Sequence, residues 1–141
     1  MRALPIIVIV PLMALGTACY ERKTEQVPPQ VPMVIAGDEM AAMARLQAVA
    51  VAEQTYSVTG DGGYATMEQL IEKGLLADPS QGKLSLYRFD VRVTEHGFQA
   101  TAVPAKYGIT GKRSFYMDET RIMRGADKGG AAASSADPAL Q

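Results

Sequence analysis

The chain has 141 residues, of which 48% are hydrophobic, and its 14 basic and 15 acidic side chains give a formal net charge of −1. This length suits one domain with a packed core, and the scattered charges form no basic patch for a nucleic acid. A single cysteine excludes an intrachain disulfide, and one histidine beside it cannot complete a zinc site without several carboxylates. We therefore expect one domain without a nucleic-acid partner and without a cofactor.

Residues 1–18 have the composition of a signal peptide. Arg2 precedes an apolar run from Ala3 to Leu15, and the small residues Gly16–Ala18 follow that run. The run contains two prolines and is shorter than the roughly 18 apolar residues that a spanning helix needs. We predict cleavable export, with an uncleaved transmembrane anchor as the alternative.

Cys19 directly follows this segment. The sequence Leu15–Cys19, LGTAC, resembles a bacterial lipobox, although Gly16 stands where the motif prefers Leu. The resemblance implies that Cys19 is acylated and becomes the mature N-terminus. Two or three acyl chains would anchor it firmly, whereas one acyl chain alone binds membranes only marginally. Tyr20, by similarity to enterobacterial lipoprotein sorting, favours the outer membrane facing the periplasm. The alternative is an ordinary signal peptide with an incidental cysteine, which would leave a free thiol in an exported protein.

Residues 19–37 are predicted to form a tether. The stretch has no apolar period and carries three prolines, Pro28, Pro29 and Pro32. Proline removes backbone donors and favours extended geometry. A semi-rigid tether of this length would reach at most roughly 60 Å.

A long helix is predicted over Asp38–Val58. Asp38 is placed to cap its N-terminus, and Gly60–Gly63 is too flexible to continue it. Glu53 interrupts the apolar face and is expected at its edge, with the carboxylate in water. Residues spaced by three, four and seven form that face: Met43, Leu46, Val49, Ala50 and Tyr56.

A short second helix and an antiparallel sheet follow. Thr66 is the predicted N-cap of the short helix, and Gly74 ends it. The apolar period then changes to two, with a hairpin turn at Glu95–Gly97. The predicted strands are residues 84–93, 98–103, 113–118 and 121–124. The elements over 38–124 predict an α+β domain, with both helices packed on three to four antiparallel strands. Residues 125–141 have little to bury and are predicted to be disordered.

The run from Ala42 to Arg124 resembles the pilin-like domains of type IV pilins and type II secretion pseudopilins. Its most specific part is Tyr107–Glu119, YGITGKRSFYMDE. Such proteins are filament subunits or filament-like modules, so the resemblance implies no enzyme activity. The chain departs from the family because it lacks a prepilin-peptidase site and an apolar stem joined to the domain helix. Arg121 also stands where relatives tend to carry Gly.

Chemical sites are few. His96 lies in the predicted hairpin turn, without the partner and cleft that a general base needs. Asp118 and Glu119 are adjacent, too close for paired-carboxylate catalysis, and are the candidates for a calcium ion. They lack the spacing of a calcium loop, so no metal site is predicted. Most aromatic side chains are expected in the core, with Tyr107 and Tyr116 as a partner surface.

The sequence thus predicts a non-enzymatic lipoprotein that acts as an interaction or structural module of the bacterial cell envelope. Its expected partners are the lipid membrane, through acylated Cys19, and envelope or secretion-system proteins. The alternative is a subunit or minor component of a type IV pilus or type II secretion pseudopilus. That alternative needs an apolar stem, which only residues 3–18 could supply if they remained uncleaved.

Overall fold

A computed structural model describes residues 32–60, 62–80 and 82–141. The predicted signal peptide, Cys19 and the tether up to Val31 lie outside these residues. Within the described ranges, no helix combines the length and the apolar character needed to cross a membrane.

The long helix, α1, extends from Pro32 to Thr59. It begins six residues before Asp38, so the prediction that Asp38 caps its start is wrong. Proline is favourable in the first turn of a helix, where its missing N–H has no partner to lose. Only Gly37 opposes helix formation over the residues that follow, at a cost of about 1 kcal/mol. The tether prediction is therefore wrong for residues 32–37, which belong to α1, and Asp38 is a buried residue within the helix.

The short helix, α2, covers Met67–Glu72 and starts at Thr66 as predicted. The Thr66 hydroxyl accepts from the Gln69 N–H, while the Gln69 side chain accepts from the Thr66 N–H. This capping box satisfies two backbone donors of an otherwise marginal helix. Gly74 adopts a φ of 68° just beyond the helix, a conformation that glycine reaches without steric cost.

Four strands form one antiparallel sheet in sequence order: β1 (Tyr87–Val93), β2 (Phe98–Pro104), β3 (Arg113–Asp118) and β4 (Arg124–Asp127). This confirms the α+β class, with a long and a short helix and four antiparallel strands. The hairpin between β1 and β2 pairs Val93 with Phe98, and Thr94 N–H donates to Gly97 O over 2.9 Å.

The first predicted strand begins too early. Residues Gly82–Leu86 form a 3-10 helix instead. Gly82 has a φ of 60°, and the Ser85 hydroxyl donates to the Gly82 carbonyl over 2.7 Å. A local side-chain bond of this kind competes with strand pairing and favours a turn.

The fourth strand lies three residues later than predicted, because a turn occupies residues 119–123. Arg121 N–H donates to Asp118 O over 2.8 Å, and Asp118 Oδ1 accepts from Thr120 N–H. Arg121 has a φ of 59° and is the one non-glycine residue in the described ranges with positive φ. Residue 121 therefore occupies a left-handed position, which glycine adopts without steric cost.

The prediction of a disordered tail over 125–141 is wrong. Residues 125–127 belong to β4, and Ala133 and Asp137 are buried. Leu140 packs on the core, and its N–H donates to Met123 O over 2.8 Å. The side chains of Asp137 and Leu140 attach this segment to the domain, although most of its other residues are small or polar and have little apolar surface to bury.

The core lies between α1 and one face of the sheet. Leu46 and Val49 from the helix meet Phe115 and Met117 from β3, and all four are at most 2% exposed. Side chains alternate across a strand, so Tyr116 points to the opposite face. Residues 132–135 pass beside Tyr116 on that second face.

Candidate interaction surfaces

The side chain of Glu39 joins α1 to the beginning of β3. Its Oε1 accepts from the Lys112 and Arg113 N–H groups, both over 3.1 Å. Its Oε2 accepts from the Arg113 Nε–H over 2.8 Å, and its side chain is 8% exposed. Charge-assisted bonds of this kind are strong and directional, so this ion pair, buried on the Glu39 side and part-exposed on the Arg113 side, holds the helix in position on the sheet.

Tyr107 lies on the surface, as predicted, in the loop between β2 and β3. The loop closes through a bond from Gly108 N–H to Gly111 O over 2.8 Å. The Tyr107 hydroxyl donates to Asp127 Oδ1 over 2.9 Å, and this bond raises the pKa of Tyr107. Tyr107 and Ile109 are about half exposed. The ring is therefore held in one orientation on an exposed, partly apolar loop.

Tyr116 does not lie on the surface with Tyr107. It is 4% exposed, its hydroxyl donates to Asp118 Oδ2 over 3.1 Å, and burial raises its pKa to about 12. The prediction for Tyr116 is wrong because the C-terminal segment covers this face of the sheet. A chain end predicted to be disordered could not have been assigned that role.

Asp118 and Glu119 do not converge. Asp118 is occupied by donors from Tyr116 and Thr120, whereas Glu119 turns towards Gly97. Among the described residues, no three His, Cys, Asp or Glu side chains are grouped to hold a metal ion. His96 is 88% exposed at its turn, with Nε2 at 4.0 Å from Glu95 Oε2. These residues form an ordinary turn surface.

Three shallow clefts mark the described surface. The first, of about 220 Å³, lies between the second face of the sheet and residues 132–135. Another, of about 200 Å³, includes Ser57, Glu119 and Arg121, and the third, of about 310 Å³, includes Lys73. The Ser57 hydroxyl already donates to the Gln54 carbonyl over 3.3 Å. The residues that line these three clefts show no nucleophile hydrogen-bonded to a general base, the geometry that covalent catalysis uses.

The outward face of α1 carries no charged side chain. The charged residues of this helix are all buried: Asp38, Glu39, Arg45 and Glu53. Val51 is 61% and Val58 77% exposed, and Met40 and Ala48 lie on the exposed side as well. Exposed helix faces usually carry charged side chains, and apolar ones mark contact surfaces.

Glu53 is buried rather than exposed at the edge of the helix. Its side chain is fully buried, Oε2 accepts from Ala65 N–H over 2.9 Å, and Oε1 has no partner among the described residues. Burial raises the pKa of this carboxyl, which the bond from Ala65 offsets only in part. The prediction failed because the loop before α2 folds over this part of the helix.

The class defined by this geometry is a small α+β domain with one long helix on a four-stranded antiparallel sheet. No known protein family, no curated protein and no solved structure matches the chain.

Proposed function

We propose that this protein is a non-enzymatic, lipid-anchored module of the bacterial cell envelope, with a pilin-like domain that binds other envelope or secretion-system proteins. The proposed interaction role is supported by the uncharged outward face of α1, on which Val51 and Val58 are exposed. Burying such side chains against a partner removes apolar surface from water, at about 25 cal/mol per Å².

The anchor in this proposal is acylated Cys19. Helix α1 begins at Pro32, so Tyr20–Val31 alone would join the anchor to the domain. Twelve residues reach at most roughly 40 Å, and the domain would stay within that distance of the bilayer. We place the protein on the outer membrane, facing the periplasm, because Tyr20 follows Cys19.

The experiment is membrane fractionation of the full chain beside a Cys19→Ser variant. The proposal predicts that the native chain sediments with membranes and that the variant is released into the soluble fraction or retained as an uncleaved precursor. A Cys19→Ser protein that is processed normally and still sediments with membranes would contradict the anchor. A matched Tyr20→Ser variant, which leaves the cysteine in place, should remain membrane-bound.

The alternative function is a subunit of a pilus or pseudopilus filament. The length of α1, 28 residues, favours it, because filament subunits of this kind use a long helix as their spine. Electron microscopy of sheared surface filaments decides between the two functions. Filaments that contain this chain would support the alternative, and a chain found only in the membrane fraction would support the lipoprotein.

A further inference from the structure

The last residues of the chain pair with the outer edge of β4. Gly125 N–H donates to Pro138 O over 3.1 Å, Leu140 N–H donates to Met123 O over 2.8 Å, and Arg124 faces Ala139 as an antiparallel pair. We call Ser134–Gln141 the terminal strap. The strand β4 is the last in the sheet, and the edge of a sheet offers main-chain groups to any added strand. The terminal strap therefore occupies a strand-binding edge.

The edge of β4 has a recess at Gly125 that the side chain of Leu140 fills. A methyl group at Gly125 would lie 3.1 Å from Leu140 Cδ1 and 2.7 Å from Phe115 Cδ1. Both distances are tighter than ordinary contacts between carbon atoms. The missing side chain at Gly125 thus leaves the space into which Leu140 reaches the core, and the recess suits one apolar side chain.

Asp137 provides the polar contacts between the strap and the residues at the edge of β4. Its Oδ1 accepts from Lys128 Nζ over 3.0 Å, its Oδ2 accepts from Ser134 N–H over 2.8 Å, and its carbonyl accepts from Arg124 Nη1 over 3.0 Å. Two cations therefore flank the site where the strap enters. The edge of β4 selects a segment with an acidic residue three positions before an apolar one.

The connector between β4 and the strap, residues 128–133, contains two glycines and one buried side chain, Ala133. Gly129 and Gly130 have φ values of 62° and 89°, and Ala131 and Ala132 are exposed. Glycine can change its backbone conformation at little steric cost. The connector can therefore change direction at its two glycines, and opening it also exposes Ala133 and uncovers Tyr116.

We propose that the outer edge of β4 is a strand-exchange site, at which the terminal strap of one copy docks into the same groove of a second copy. The strap of a second copy has the same sequence, so each contact that the strap makes within one chain can also form between two chains. The strap of the receiving chain competes for the same groove, and its effective concentration is high because it is linked to the domain. Exchange is therefore favoured where copies are concentrated.

The test uses engineered cysteines in two full chains that both carry Cys19→Ser, so its outcome is independent of membrane anchoring. One copy carries Arg124→Cys and the other Ala139→Cys. These positions form a pair without mutual hydrogen bonds, with Cα atoms about 4.5 Å apart, within the range that a disulfide bridges. A control mixture combines Ala139→Cys with Val58→Cys, a residue on the distant, exposed face of α1.

Exchange predicts a covalent heterodimer in the first mixture, in large excess over the control mixture. A single chain with both Arg124→Cys and Ala139→Cys should form this disulfide within one chain in dilute solution and increasingly between two chains, as a covalent dimer, in concentrated solution. Adding Leu140→Asp to the Ala139→Cys copy should abolish the heterodimer. The proposal is overturned if the first mixture yields no more heterodimer than the control, if Leu140→Asp has no effect, or if the double variant forms the disulfide only within one chain at every concentration.

Discussion

Glu53 is a carboxyl group buried in the core, with one hydrogen bond to Ala65 N–H. Burial disfavours its charged form and raises its pKa in the folded protein. A carboxyl whose pKa is higher in the folded than in the unfolded state stabilises the fold fully below its unfolded pKa. That stability is lost as the pH rises through the folded pKa.

Glu53→Gln should therefore remove one source of pH dependence. Glutamine keeps an oxygen acceptor for Ala65 N–H but cannot ionise, so the variant should unfold at a higher temperature than the native chain at about pH 8, and the difference should shrink towards about pH 4. Thermal unfolding across this range measures both proteins. Glu53→Leu is the control, since it strands the buried N–H at a cost of about 1–3 kcal/mol. Equal pH profiles for Glu53→Gln and the native chain would contradict the assignment.

Arg121 carries the strain of a left-handed backbone, with a φ of 59°. Such a conformation costs a residue with a side chain about 1–2 kcal/mol relative to glycine. Arg121 also donates from Nη1 to Gln54 Oε1 over 2.8 Å, a bond that any truncation removes. Arg121→Gly and Arg121→Ala both lack this bond, so the difference between their stabilities reports the cost of the backbone conformation. The glycine variant should be more stable by about 1 kcal/mol in chemical denaturation, and equal stabilities would show that the turn is unstrained.

At the scale of elements, α1 has two faces with different roles. Its inner face buries Leu46 completely, whereas its outer face leaves Val51 61% exposed. Leu46→Ala should cost about 2–5 kcal/mol of unfolding free energy, because it leaves a cavity in a packed core. Val51→Ala, on the same helix, should change stability by less than about 0.5 kcal/mol. Denaturant unfolding of the two variants checks this, and a similar cost for both would contradict the orientation of α1.

The outer face of α1 should contact a partner in the cell. A photo-crosslinking amino acid at Val51 or Val58 should capture a defined envelope protein on irradiation of intact cells. The same group at His96, which is exposed on the β1–β2 turn, serves as the control for random capture. Immunoblots of the crosslinked species give the readout. Identical adducts from all three positions would argue against a partner on this face.

At the scale of the whole molecule, the sequence predicted what depends on local chemistry. The apolar period located the body of α1 but not its first six residues, the N-cap Thr66 located α2, and alternation located β1 to β3. Each of these signals lies within the element that it predicts or directly beside it. The α+β class follows from them because each amphipathic element needs a partner to cover its apolar side.

The missed features depend on contacts that are distant in sequence. Glu53 is buried by a loop twelve residues away, and Tyr116 is covered by residues 132–135. The terminal strap has the composition of a disordered segment and is ordered through Asp137 and Leu140. A period or a composition describes one segment at a time, so it could predict neither the burial of Glu53 nor the closed second face of the sheet.

Intact mass spectrometry of the mature protein tests the proposed membrane anchor at Cys19. An anchored protein should begin at Cys19 and carry the added mass of two or three acyl chains. A mature chain that begins elsewhere, or one that begins at Cys19 without lipid mass, would contradict it.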